Sequence, residues 1–165
     1  MNNDAGSTRT EEIFKTNCPW AHRSQGPRLR VLFVCSAGLL RSPTAAAWGT
    51  QEMDWNTRSC GSHDEYALIP LSLNLILWAE RIVFVNPENH TRAMKRYKDL
   101  QADVADVNDD NYGRPLRKNI TEIINDKAVI LNIPDVYNYG DEWLCRLLDR
   151  EADRIAIPAN YPATV

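Results

Sequence analysis

The sequence predicts an α/β protein built on a parallel sheet of four strands with helices on both faces. Three observations carry this. Short apolar runs at Leu29–Cys35, Arg81–Val85 and Lys127–Leu131 have the length and composition of strands covered on both sides. Segments with helical spacing lie between them, so strands and helices alternate as in right-handed crossover units. The first strand also runs through Cys35-Ser36-Ala37-Gly38-Leu39-Leu40-Arg41-Ser42-Pro43 into a helix. Open parallel sheets bind ligands at such junctions, beyond the carboxyl ends of their strands.

The elements follow in order. Residues 1–28 are polar, with Ile13, Phe14 and Trp20 as their large apolar groups, and read as a mostly irregular extension with a short helix near Glu11–Thr16. Such a segment cannot bury enough apolar surface to order itself. The α/β domain is expected over 29–157, with a tail at 158–165. Leu29–Cys35 is the first strand. Pro43–Asp54 is a helix containing Ala45, Ala46, Ala47 and Trp48, with Ser42 as N-cap and Pro43 as its first residue.

Asn56–Cys60 is a short second strand, and Pro70–Ala79, apolar nearly all round, a buried helix. Arg81–Val85 is the third strand, and Pro87–Leu100 a basic helix carrying Arg92, Lys95, Arg96 and Lys98. The acidic, turn-rich stretch Ala102–Gly113 is expected to be a loop. Leu116, Ile120, Ile123 and Ile124 predict a helix over Leu116–Asn125. Lys127–Leu131 is the fourth strand, and Asp141–Ala152 the last helix, with Asp141 as N-cap and Leu144, Leu147 and Leu148 inward.

Composition narrows the classes. A chain of 165 residues, 44% apolar and 25% charged, suits one globular domain. Its net charge of −3 gives no basic footprint for nucleic acid or an anionic membrane. No apolar run approaches the ~20 residues that span a bilayer. Asp4, Glu11, Glu12 and Lys15 interrupt any signal-peptide core, so a cytoplasmic location with reduced thiols is expected. Cys18, Cys35, Cys60 and Cys145 form no Cys-x2-Cys pair, and neither a metal site nor a cofactor is expected.

Cys-x5-Arg is the spacing that bends a loop around one phosphate-sized anion. Cys35 would sit at the bottom as nucleophile, the backbone amides of Ser36, Ala37, Gly38, Leu39 and Leu40 would point inward, and Arg41 would close the ring. The planar fork of Arg41 can bind two oxygens of a phosphoryl group and offset charge in the transition state. The anion lies at a helix N-terminus, where free amides and the macrodipole favour negative charge. The same field favours the thiolate, the reactive form of Cys35.

With Val31-Leu32-Phe33-Val34 before it and Ser42-Pro43-Thr44-Ala45 after it, this motif resembles the signature of the low-molecular-weight protein tyrosine phosphatases. The resemblance covers roughly Leu29–Leu148, and Leu77–Val85 with His90 and Arg92 looks like a compact bacterial and phage-type branch. It implies a three-layer sandwich with a four-stranded parallel sheet. It also implies a general acid from the loop after the last strand, where the family's Asp-Pro-Tyr appears here as Asp135-Val136-Tyr137. Asp135 is the expected proton donor, with Asp141 as the alternative. Tyr137 is expected at the substrate rim. His90 is either a substrate contact or a solvated side chain of a basic helix. Ser42 would donate a hydrogen bond to the Cys35 sulfur.

Three departures stand out. Gly38 occupies a position where the family commonly has an asparagine that stiffens the loop; glycine still reaches positive φ without steric cost. Leu40 stands where many members carry a second cysteine, so that redox protection is absent. Ser59-Cys60-Gly61 replaces the family's Ser-Ala-Gly. The leading function is hydrolysis of a phosphate monoester through a cysteinyl-phosphate, above all phosphotyrosine, on a phosphorylated protein or a small ester. Arsenate reduction is a second reading, but it needs resolving cysteines. The corresponding region Asn86–Arg96 has none, leaving Cys60 and Cys145. A phosphate-binding regulator without catalysis is a third, against which Cys35, Arg41 and Asp135 together argue.

Overall fold

Four strands pair side by side in the order β2-β1-β3-β6, all parallel, in a computed structural model that describes residues 27–105 and 115–157. The chain runs β1 (Arg30–Cys35), α1 (Arg41–Met53), β2 (Asn56–Gly61), α2 (Leu73–Trp78), β3 (Arg81–Phe84) and α3 (Pro87–Tyr97). It continues through β4 (Gln101–Ala105), β5 (Pro115–Asn119), α4 (Ile120–Lys127), β6 (Ala128–Ile130) and α5 (Glu142–Ala156). The expected α/β class with a four-stranded parallel sheet is the observed one. The N-terminal extension, apart from residues 27 and 28, and the tail at 158–165 lie outside the described residues.

Strand β1 shows why the apolar runs are continuous. Val31 and Phe33 face one core with Trp48, Val83, Val129, Leu144, Leu148 and Ile155. Leu32 and Val34 face the other with Ile76, Trp78, Ile82, Phe84, Ile120 and Ile124. Alternate residues enter opposite cores, so helices α1 and α5 cover one face and α2, α3 and α4 the other. Trp48 Nε1 donates to Asp149 Oδ1 at 2.8 Å, tying α1 to α5.

Several expectations require correction. Helix α1 begins at Arg41, so Ser42 is not its N-cap. Leu40 holds that position without a side-chain cap, and Asp54 is a left-handed C-cap rather than the last helical residue. Proline is accepted two residues deeper than expected because first-turn amides have no intrahelical partner. The buried helix after β2 is shorter than Pro70–Ala79: Pro70 instead bridges Gly61, and Ser72 caps a six-residue α2.

The stretch read as a loop from Ala102 opens as β4, which pairs antiparallel with β5. Leu116 belongs to β5 and is exposed, so helix α4 starts at Ile120 rather than at Leu116. Gln101 and Asp103 are exposed while Ala102 and Val104 pack on the core, a period-2 pattern hidden by the acidic composition. Among the described residues, no helix is long and apolar enough to cross a membrane.

Candidate active site

The loop from Cys35 to Ser42 is shaped by its outward carbonyls. Cys35 O accepts from Ser62 N at 2.8 Å, Ser36 O from His63 N at 3.1 Å and Ala37 O from Leu68 N at 3.2 Å. In a planar trans peptide the following N–H points the opposite way. The amides of Ser36, Ala37 and Gly38 therefore face inward, and Gly38 N donates to Cys35 Sγ at 3.2 Å. This makes a concave array of donors of the kind that holds anions.

Two glycines make the turn sterically feasible. Gly38 has φ +72°, and a Cβ there would stand 2.9 Å from Gly61 N and 3.0 Å from Cys60 C. A Cβ on Gly61 would lie 2.6 Å from Ser36 O and 2.7 Å from Ala37 C. The end of β2 thus packs backbone to backbone against the loop.

Cys35 is almost fully buried, and its Sγ lies 3.0 Å from Ser42 Oγ. Ser42 Oγ is also 3.1 Å from Cys60 O. A hydroxyl has one proton. It donates to the Cys60 carbonyl when Cys35 is a thiol, and is free to turn to the sulfur when Cys35 is a thiolate. The expected Ser42–Cys35 contact is present, without the capping role.

Arg41 is 3% exposed, and its Nε lies 3.0 Å from Asp135 Oδ1. Its Nη1 donates to Ile133 O at 3.0 Å. The connection from β6 to α5 therefore supplies both partners, so Asp135, which the family resemblance implies, meets Cys35 and Arg41 of the Cys-x5-Arg loop at the carboxyl end of the sheet. Asp135 itself is 69% exposed, poised at the mouth. Asp141 accepts from Trp143 N at 2.9 Å, an N-cap as expected, so its carboxylate serves the helix. Tyr137 is half-buried against the α1–α5 core. His90 turns to α4: its Nε2 is 3.1 Å from Asn125 Oδ1 and its ring packs edge-on to Phe84, so the structure does not bring it to the loop. Leu39 and Leu40 are exposed on the loop.

Three supporting residues were not foreseen. Asn89, 1% exposed on α3, donates from Nδ2 to Ser36 Oγ at 3.2 Å and Ser62 Oγ at 3.0 Å. It stiffens the loop from outside, where Gly38 has no side chain to do so. Ser62 Oγ also meets His63 Nδ1 at 3.1 Å. Thr44 Oγ1 accepts from Gly140 N at 2.9 Å and donates to Leu40 O at 2.8 Å, clamping the acid-bearing connection to the start of α1. The only sequence signal for Asn89 is its four-residue spacing to Ala93 and Tyr97 on the buried face of α3.

Two further described thiols are harder to ionise than a free cysteine. Burial, and then the neighbouring Cys35, push the Cys60 thiol well up. Burial, followed by Asp149 and Asp141, raises that of Cys145. Among the described residues no group of three or more His, Cys, Asp or Glu side chains is placed to hold a metal.

No protein-family profile and no curated protein sequence matches the chain. Solved structures do. The YwlE arginine phosphatase from Geobacillus stearothermophilus aligns at TM-score 0.50 and 17% identity, over 78% of this chain and 93% of that one. Vibrio vulnificus Wzb in complex with benzylphosphonate aligns at TM-score 0.51 and 15% identity, over 78% of this chain and 97% of that one. At such identities the likeness is one of fold.

Proposed function

On the fold of the low-molecular-weight phosphatases, we propose that this chain is a cysteine-dependent phosphatase that hydrolyses phosphotyrosine through a cysteinyl-phosphate. One observation carries the reading. Cys35 Sγ sits among the inward amide of Gly38 and the hydroxyl of Ser42, and the neighbouring Arg41 is bound to Asp135. A phosphate-binding regulator needs neither the nucleophile nor the acid.

The reaction follows from the geometry. The Cys35 thiolate attacks phosphorus, the S–P bond forms as the ester P–O bond breaks, and Asp135 gives its proton to the leaving oxygen. The equatorial oxygens rest on the loop amides and the Arg41 fork, which stabilise charge as it builds. Water then attacks phosphorus, Asp135 takes its proton, and the S–P electrons return to Cys35. Ser42 Oγ follows the sulfur charge, donating to the thiolate before attack and after release.

The exposed side chains of Leu39 and Leu40 give the mouth apolar surface that suits an aromatic ester. The benzylphosphonate of the Wzb complex is likewise an aromatic phosphonate. The reductase reading has less support, because burial raises the pKa of both described candidate partner thiols, Cys60 and Cys145. A reducing cytoplasmic setting suits an enzyme that needs a free Cys35.

Purified protein should hydrolyse p-nitrophenyl phosphate and a phosphotyrosine peptide faster than a phosphoarginine peptide. Cys35→Ser should abolish turnover, because a serine hydroxyl is far harder to ionise. Substantial hydrolysis by that variant would refute covalent catalysis through Cys35, and preference for phosphoarginine would overturn the substrate assignment.

A further inference from the structure

Eight of the eleven large apolar side chains exposed among the described residues belong to three segments at the carboxyl end of the sheet. Leu39 and Leu40 stand on the anion loop itself. Tyr66, Leu68 and Ile69 lie on the β2–α2 connection. That segment is held to the loop and to β2 by Leu68 N to Ala37 O at 3.2 Å and Gly61 N to Ile69 O at 2.9 Å. Val136, Tyr139 and Trp143 lie on the β6–α5 connection and the start of α5. That segment is anchored through Asp135 to Arg41 and through Gly140 N to Thr44. Scattered surface leucines need no explanation, but exposed apolar groups gathered on three segments tied to one reactive loop mark a binding face.

The dimensions favour a chain as occupant. The two flanking connections leave opposite edges of the sheet, at β2 and at β6, with β1 and β3 between them. Three strand spacings separate them, roughly 14 Å at the usual ~4.8 Å. Covering that span takes about four residues of extended polypeptide, at ~3.4 Å each, whereas a small ester fills the loop alone. Charge argues against a lipid surface. Arg92 and Arg96 beside the rim are already paired with Glu65 and Asp64, and Glu88, Asp141 and Glu142 add negative charge. Arg146 over the Trp143 ring is set against these carboxylates, so the rim has no basic cluster to hold an anionic bilayer, and an extended apolar segment needs none.

We propose that this rim docks an extended phosphorylated protein segment carrying large apolar side chains on both sides of its phosphoresidue. The inference rests on the phosphatase reading above and deepens it. The rim on one side of the anion loop takes the residues before the phosphoresidue, and the rim on the other side those after it.

The experiment compares three substrates: p-nitrophenyl phosphate, a phosphotyrosine peptide flanked by leucine and phenylalanine, and a charge-matched peptide flanked by serine. The apolar peptide should show kcat/KM at least about tenfold above the serine peptide, mainly through KM, as burial of two large side chains predicts. The double variant Tyr66→Ser/Trp143→Ser alters exposed groups that the loop does not use for its hydrogen bonds. It should erase the preference while p-nitrophenyl phosphate turnover stays unchanged. Equal kcat/KM for the two peptides, with the small ester still turned over, would overturn this inference and leave the phosphatase reading standing. Faster hydrolysis on phosphatidylcholine vesicles carrying phosphatidylinositol phosphate would also overturn it, by putting a membrane on the rim. So would a dimer that the double variant dissolves while both peptides are hydrolysed alike. Absence of p-nitrophenyl phosphate turnover would remove both readings together.

Discussion

At the scale of single residues, the pairing of Arg41 with Asp135 is the most consequential contact. One buried guanidinium serves two acceptors, Ile133 O and the Asp135 carboxylate, and its Nε is a donor that a phosphoryl oxygen would also need. Asp135 and an incoming anion therefore compete for Arg41. When the anion wins, Asp135 is released toward the mouth, where the leaving oxygen lies. Asp135→Asn removes the competing charge but keeps the shape. Inorganic phosphate should then bind about three- to tenfold more tightly, the range expected for a half-screened ion pair. Hydrolysis of phosphotyrosine should slow by ~10²–10⁴-fold, and that of aryl esters with acidic leaving groups much less. Isothermal titration and rates across an aryl phosphate series check both. Weaker phosphate binding in the variant would mean that Asp135 holds the loop rather than competes for it. The Cys35–Arg41 loop was legible from its spacing and Asp135 from the resemblance to the phosphatase family, whereas their pairing was not. Asn89 was not legible, since its role depends on an α3–loop approach that no local spacing announces.

At the scale of elements, the strands of the main sheet were readable because burial on both faces leaves uninterrupted apolar runs. The β4–β5 hairpin was not. It covers one side only, and Leu116 fell by chance in helical register with Ile120, Ile123 and Ile124. The α2–α4 contact was also out of reach. Lys127, the last residue of α4, donates from Nζ to Ile76 O at 2.9 Å and Leu77 O at 3.3 Å, satisfying carbonyls at the end of α2. Burial, and then the nearby Arg30, lower its pKa to about 8. The unfolded chain, with an ordinary lysine near 10.4, thus binds more protons than the folded one between those values. Below pH 8 both states carry the charge and the folded state bears the full burial penalty. As pH rises from about 8 toward 10.4 the penalty is relieved, so this group's contribution to stability improves. Lys127→Met removes that titration. The unfolding free energy of wild type relative to Lys127→Met should rise over this window by on the order of 3 kcal/mol, read from urea melts at pH 7, 8, 9 and 10. A flat difference would place Lys127 in effective contact with solvent.

At the scale of the molecule, the site is an assembly point for distant parts of the chain. The loop at Cys35–Ser42 is tied to Ser62, His63 and Leu68 from the β2–α2 connection, to Asn89 on α3, and to Ile133 and Asp135 before α5. An anion held there bonds to groups whose arrangement exists only when all these segments are in place, so it binds the folded state alone. Linkage then requires that inorganic phosphate stabilise the whole domain by RT ln(1 + [L]/Kd), about 2.7 kcal/mol at one hundred times Kd. For a domain of this size the melting temperature should rise by roughly 5–10 °C. Cys35→Ser keeps the amides and Arg41 and should retain the shift. Arg41→Met should lose most of it, because the amide array remains but the guanidinium does not. A shift of equal size in all three proteins would locate the stabilising phosphate elsewhere on the surface. Its absence in wild type at millimolar phosphate would mean that the loop, though correctly folded, does not hold the anion on which the proposed chemistry depends.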